Sequence, residues 1–93
     1  MYFKIHKNPQ KCFLTICDED LIGKQIEENN LFLDVKEDFY KGSSKEIKIT
    51  EEISSIIFVG KKSIEYGLKN KLLDKTSIKT VKKIPFCEVI FFG

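Results

Sequence analysis

Apolar and polar positions alternate from Tyr2 to His6, with Phe3 and Ile5 on one face, and alternate again from Lys11 to Cys17 after a turn at Asn8-Pro9. This pattern predicts a β-hairpin. Its second strand is expected to be interior, because Cys12, Leu14 and Ile16 fill one face while Phe13, Thr15 and Cys17 fill the other. Asp18 then stands as N-cap of a predicted helix from Glu19 to about Glu28, with Leu21, Ile22 and Ile26 as its buried stripe and Asn29-Asn30 as its end. Leu31 to Val35 reads as a strand, and Phe39-Tyr40-Lys41-Gly42 as a turn into the polar link Ser43-Ser44. Ile47-Lys48-Ile49 is either a short edge strand or an extended lead-in. Ile53, Ile56 and Ile57 have helical spacing after Thr50, which predicts a second helix to about Phe58. Gly60 breaks the chain, and a third helix runs from Lys61 to about Asn70 with Ile64 and Leu68 inward. Ile78 to Val81 and Phe86 to Phe92 are expected as strands joined near Ile84-Pro85, the last of them central. The result is an α+β fold: a mixed sheet in β-β-α-β-α-α-β-β order, with about three helices packed on it.

Ninety-three residues suit one domain spanning 1–93, and the 42% apolar share, with eight Phe and three Tyr, marks a globular chain. Apolar runs such as Ile56 to Val59 are too short to span a membrane, and the N-terminus lacks the apolar block of a signal peptide. A cytoplasmic location with no membrane partner follows as the expectation. Cys12, Cys17 and Cys87 are odd in number and far from metal or redox spacing, so they read as buried free thiols.

Net charge is only +2, yet residues 18–52 hold eleven acids against five Lys, and residues 53–83 hold eight Lys against Glu65 and Asp74. Every basic residue is Lys, which removes the planar fork that Arg offers to bases and phosphates. No phosphate-loop, dinucleotide, zincin or nucleophile-elbow motif is written in the chain, and the single histidine, His6, excludes multi-histidine metal sites. Catalytic candidates are confined to Cys17, Asp18, Asp20 and His6. The helix dipole at Cys17-Asp18 favours a thiolate and the adjacent carboxylates oppose it, so no activated nucleophile is expected. The acidic cluster lacks the spacing of a calcium loop. No metal and no cofactor is therefore expected.

Met1-Tyr2-Phe3-Lys4-Ile5, Cys17-Asp18-Glu19-Asp20-Leu21-Ile22-Gly23-Lys24, Phe39-Tyr40-Lys41-Gly42, Val59-Gly60-Lys61-Lys62-Ser63-Ile64 and Ile84-Pro85 together resemble a small archaeal family, domain of unknown function four-two-four. The resemblance spans almost the whole chain and implies an archaeal cytosolic protein of unassigned activity. That family often reads Pro-His-Ala-Gln where this chain has Pro85-Phe86-Cys87-Glu88, so a catalytic role for the family's His and Gln has no counterpart here.

The leading expectation is a non-enzymatic binding module that meets RNA or a ribonucleoprotein through Lys61, Lys62, Lys69, Lys71, Lys79, Lys82 and Lys83. A protein-interaction adaptor using the acidic face of residues 18–52 is the alternative, and an enzyme built on the Cys17–Asp20 corner comes third. Exposed aromatic platforms for single-stranded RNA are not evident, since most Phe occupy core-like positions.

Overall fold

The computed structural model describes residues 1–91. Seven strands and two α-helices follow one another as β1 (Tyr2–Asn8), β2 (Lys11–Cys17), β3 (Gln25–Glu28), β4 (Leu31–Asp34), α1 (Glu37–Tyr40), β5 (Ser55–Val59), α2 (Lys61–Lys69), β6 (Lys79–Val81) and β7 (Ile84–Ile90). Five strands form one sheet in the order β1-β2-β5-β7-β6, and β3-β4 is a separate hairpin. Among the described residues only β2 and β5 run parallel.

The opening hairpin forms as expected. Asn8 Oδ1 accepts the backbone N–H groups of Gln10 and Lys11, at 3.0 and 2.9 Å, and so closes the turn. β2 lies inside the sheet, with Leu14 and Ile16 fully buried on one face and Thr15 and Cys17 on the other.

Two predicted helices are absent. After Cys17 the chain makes a single 3-10 turn, Glu19–Leu21, passes through Gly23 at φ +85° and enters β3. Leu21 and Ile26 are buried as predicted, but as separate anchors of a loop and a hairpin. Residues 55–59 form β5, an interior strand flanked by β2 and β7. Ile56 and Phe58 enter one core and Val59 the other, which is strand alternation. Ile, Ile, Phe and Val in succession lose side-chain freedom in a helix and fit a strand covered on both faces. The third predicted helix is α2. In place of the expected β-β-α-β-α-α-β-β order and three helices, the described residues run β-β-β-β-α-β-α-β-β with two.

Ile47–Ile49 is an extended lead-in, outside any strand. The last two strands turn at Lys82-Lys83, earlier than the predicted Ile84-Pro85, and Phe92 lies outside the described residues. β7 is interior, as expected for the last strand.

The crossover from β2 to β5 wraps the sheet. It first lays the β3-β4 hairpin and α1 on one face, where Leu21, Ile26, Leu33, Val35 and Tyr40 pack with Cys17, Val59 and Val81. It then passes the free edge of β1, where Phe3 and Ser43 exchange two backbone hydrogen bonds of 2.8 Å, and so blunts an otherwise open edge. On the second face Ile53 joins Phe3, Leu14, Ile16, Ile56, Phe58, Cys87 and the helix residue Ile64. Gly67 lets α2 sit close to the sheet, since a Cβ there would lie 2.8 Å from the Phe58 ring. No helix among the described residues is long and apolar enough to cross a membrane.

Candidate functional site

Because β2 and β5 are parallel neighbours, their carboxyl ends lie side by side, with Cys17 opposite Val59. The chain leaves β2 through Asp18 and leaves β5 through Gly60, so these two residues meet. Asp18 N–H donates to Val59 O at 2.9 Å. Its carboxylate, only 5% exposed, accepts from Lys62 N–H at 3.0 Å, from Ser63 N–H at 2.8 Å and from the Ser63 hydroxyl at 2.7 Å. Asp18 is thus a helix cap, as its residue type suggests, but for α2, more than forty residues away. Gly60 makes this possible: its φ is +106°, and a Cβ there would overlap the Asp18 carboxyl group.

Across the same end runs the start of β7, held by Gly60 N–H donating to Pro85 O at 2.8 Å. Asp18, Asp20, Lys61, Lys62, Pro85 and Met1 line an open cleft of about 560 Å³ there. The Met1 ammonium pairs with Glu19 at 3.1 Å. Lys61 and Lys62 make no ion pair among the described residues, and neither do Lys82 and Lys83, which lead directly into Ile84 and Pro85.

The seven predicted lysines divide by position. Lys61, Lys62, Lys82 and Lys83 gather at the end of the sheet where β5 stops and β7 starts. Lys71 shares a depression with Ile90, at the other end of β7. Five strand steps of about 3.4 Å separate Pro85 from Ile90, on the order of 17 Å. Lys69 closes α2 away from its capped start, and Lys79 borders a different cleft on the hairpin side. A single seven-lysine face is therefore not formed, because α2 runs from Lys61 and Lys62 at one end of the sheet towards Lys71 at the other.

Of the candidates for chemistry, Asp18 is spent on α2, Asp20 lines the cleft, and Cys17 and His6 are held in packing. Cys17 is fully buried, and burial first, then the charges of Asp18 and Asp20, push its thiol up to about 12. A thiol in that state is no nucleophile at neutral pH. His6 stacks on Phe13 with ring centroids 4.5 Å apart, packs against Phe39 at 4.4 Å and shares a 3.1 Å hydrogen bond with the Thr15 hydroxyl. Burial and the neighbouring Lys4 lower its pKa, against a hydrogen bond to the Phe39 backbone. Among the described residues no group of three metal-ligating side chains converges.

The model of a family described as proteins of unknown function, DUF424, matches residues 6–91 of this chain. The chain belongs to that family. Among solved structures, the DUF424 fold seen here is similar to the crystal structure of an uncharacterized conserved protein from Methanopyrus kandleri, with a TM-score of 0.78, 22% identity, and 95% of this chain and 88% of that one covered. No curated protein matches.

One residue of this DUF424 member is not marked by the sequence pattern. Phe32 is 59% exposed, because Leu33 of β4 takes the inward position and leaves Phe32 on the outer face of the hairpin. The same hairpin holds the lysine turn, through Glu28 Oε1 accepting Lys82 N–H at 2.9 Å. Alternation about Leu33 is the signal, but it becomes readable only once β3 is known to be a strand.

Proposed function

We propose that this chain is a non-enzymatic binding module that docks the phosphate backbone of RNA, free or within a ribonucleoprotein, on the end of the sheet carrying Lys61, Lys62, Lys82 and Lys83. The observation that carries the reading is the 2.8 Å bond from Gly60 N–H to Pro85 O, which brings two lysine pairs from distant sequence to one rim. Their charge is uncompensated by any ion pair among the described residues. Lysine supplies point charge without base readout, so the expected mode is sequence-tolerant and salt-sensitive. Phe32, exposed on the hairpin that braces the turn, is a candidate stacking surface for an unpaired base.

The turn itself supports a role for these side chains. Lys82 and Lys83 both have positive φ, 47° and 66°, in a two-residue hairpin loop where Asn-Gly is the favoured pair. Strain of roughly 1 kcal/mol per residue is tolerated to place two lysines at the tip. An adaptor using the acids of residues 18–52 has less support, because most of those eleven acids already have partners within the chain. Asp18 caps α2, Glu19 holds Met1, Glu28 holds Lys82, Glu37 pairs with Lys41, Glu46 accepts from Tyr66 and Glu52 pairs with Lys7.

Fluorescence anisotropy with a labelled single-stranded RNA over a salt series tests the reading. Each lysine–phosphate contact contributes about 0.7 to the slope of log affinity against log salt, so four give a slope of roughly −3. Replacing all four lysines by Gln should flatten it. A native chain that binds without salt dependence, or does not bind, refutes the proposal.

A further inference from the structure

A second cleft, of about 370 Å³, lies on the opposite side of the hairpin from its exposed face, between β4 and α1 above and β5, β7 and β6 below. Ile57, Val59 and Phe86 make its floor and Leu33 a wall. Around this apolar base stand Tyr40, Ser77, Lys79 and Glu88, and none of these four side chains makes a hydrogen bond or ion pair among the described residues. In the first cleft Asp18 and Glu19 are consumed by α2 and Met1, which leaves Asp20, Lys61 and Lys62 as its charged groups.

Tyr40 is the most informative of the four. It is only 8% exposed, yet its hydroxyl is not sealed in the core and opens to the cleft, where it is free to meet a ligand. Burial, together with the charges of Cys17, Asp34 and Glu88, raises its pKa, so the phenol keeps its proton and serves as a donor. An apolar floor ringed by a few polar groups that are free to face a ligand is the usual build of a small-molecule site. The volume sits near the low end of the roughly 300–1,000 Å³ range of such sites, which favours a compact ligand over a nucleotide. One ammonium and one carboxylate on the same rim, not paired with each other, complement a ligand that carries both charges.

We propose that this cleft binds a hydrophobic α-amino acid, a zwitterion with an apolar side chain. The ligand ammonium meets Glu88, its carboxylate meets Lys79 and the Tyr40 hydroxyl, and its side chain covers Ile57, Val59 and Phe86. This site is separate from the lysine rim and does not depend on the RNA reading.

The test is a methyl-resolved NMR titration of the native chain with L-leucine and L-phenylalanine. Binding should shift the Ile57, Val59 and Leu33 methyl signals and saturate at millimolar concentration. N-acetyl-leucine, which lacks the ammonium, and leucinamide, which lacks the carboxylate, should each bind about tenfold more weakly. Glycine should leave the methyls unmoved. Tyr40→Phe keeps the ring in place, and Glu88→Gln and Lys79→Met alter exposed positions, so these variants should fold; each is expected to lose about tenfold in affinity. The proposal is overturned if neither amino acid saturates these signals, if the blocked analogues bind as well as L-leucine, or if Tyr40→Phe binds unchanged. The analogue series needs only the native chain, so the amino-acid site stands or falls on it even where a variant misfolds.

Discussion

Replacing Asp18 by Ala removes the link between the ends of β2 and β5, and the loss can be built from its parts. An N-cap carboxylate contributes about 1 kcal/mol, within a range of roughly 0.5–2. Its removal also strands the Ser63 amide and hydroxyl in a place where Ser63 is fully buried, which adds about 1–3 kcal/mol. Together these give a destabilisation of about 3 kcal/mol, or a melting temperature lower by roughly 12–24 °C in a domain of this size. With no Trp in the chain, urea unfolding followed by far-ultraviolet circular dichroism is the direct assay. The midpoint should fall while the denaturant slope stays constant. Gly60→Ala should be comparably damaging, because the new methyl group meets the Asp18 carboxyl group. Combining the two substitutions should fall short of their sum, since each removes the same contact. A loss below about 1 kcal/mol in Asp18→Ala, under the low end of the buried-group penalty, would refute the view that one carboxylate fastens the two strand ends.

Three further outcomes follow from the same structure. Lys82→Asn with Lys83→Gly relieves two positive-φ side chains and should raise stability by about 1 kcal/mol in thermal unfolding while weakening RNA binding, a trade that pure turn strain does not predict. Alkylation at neutral pH followed by mass spectrometry should label the half-buried Cys12 first and leave Cys17 unmodified until the protein unfolds. Native His6 has a pKa below its ordinary value of 6.5, so the unfolded chain takes up the proton more readily. Its contribution is therefore present above pH 6.5 and lost as pH falls from there through the lowered native value; His6→Gln should flatten that part of the stability profile.

Some segments with local punctuation were legible. The β1-β2 hairpin, the start of α2 at Gly60 and its end near Asn70 are written in local alternation, turn chemistry and helix punctuation. The two misread segments share helix-like spacing of apolar residues, which arises in one from a loop anchor followed by a hairpin strand and in the other from a strand covered on both faces. Leu21, Ile22 and Ile26 look like a stripe, but Gly23 supplies a left-handed residue and Asn29, at φ 56°, supplies the hairpin turn. Ile53, Ile56 and Ile57 look like another stripe, yet Ile57 points to the opposite core from Ile56. The lysine rim was only half legible. Composition located the basic segment, but the separation of Lys71 from Lys62 depends on the reversal of α2 and β7.

Asp18 joins these two kinds of legibility, and it limits what the first cleft can do. A capping residue is recognisable from its type, but which helix it caps depends on strand pairing, and parallel pairing delivers Asp18 to α2. The amides of Lys62 and Ser63, which at an uncapped helix start attract phosphate and sulfate, are therefore already spent. Attraction for phosphate in the native chain must come from lysine side chains alone, which is why a steep salt slope is expected. In Asp18→Ala the same amides become free and a negative charge leaves the cleft. Sulfate should then raise the melting temperature of Asp18→Ala by more than that of the native chain, with chloride at equal ionic strength and matched urea midpoints as controls. Equal sulfate responses would mean that the carboxylate does not occupy the helix start in solution, and the geometry described for both strand ends would fall with it.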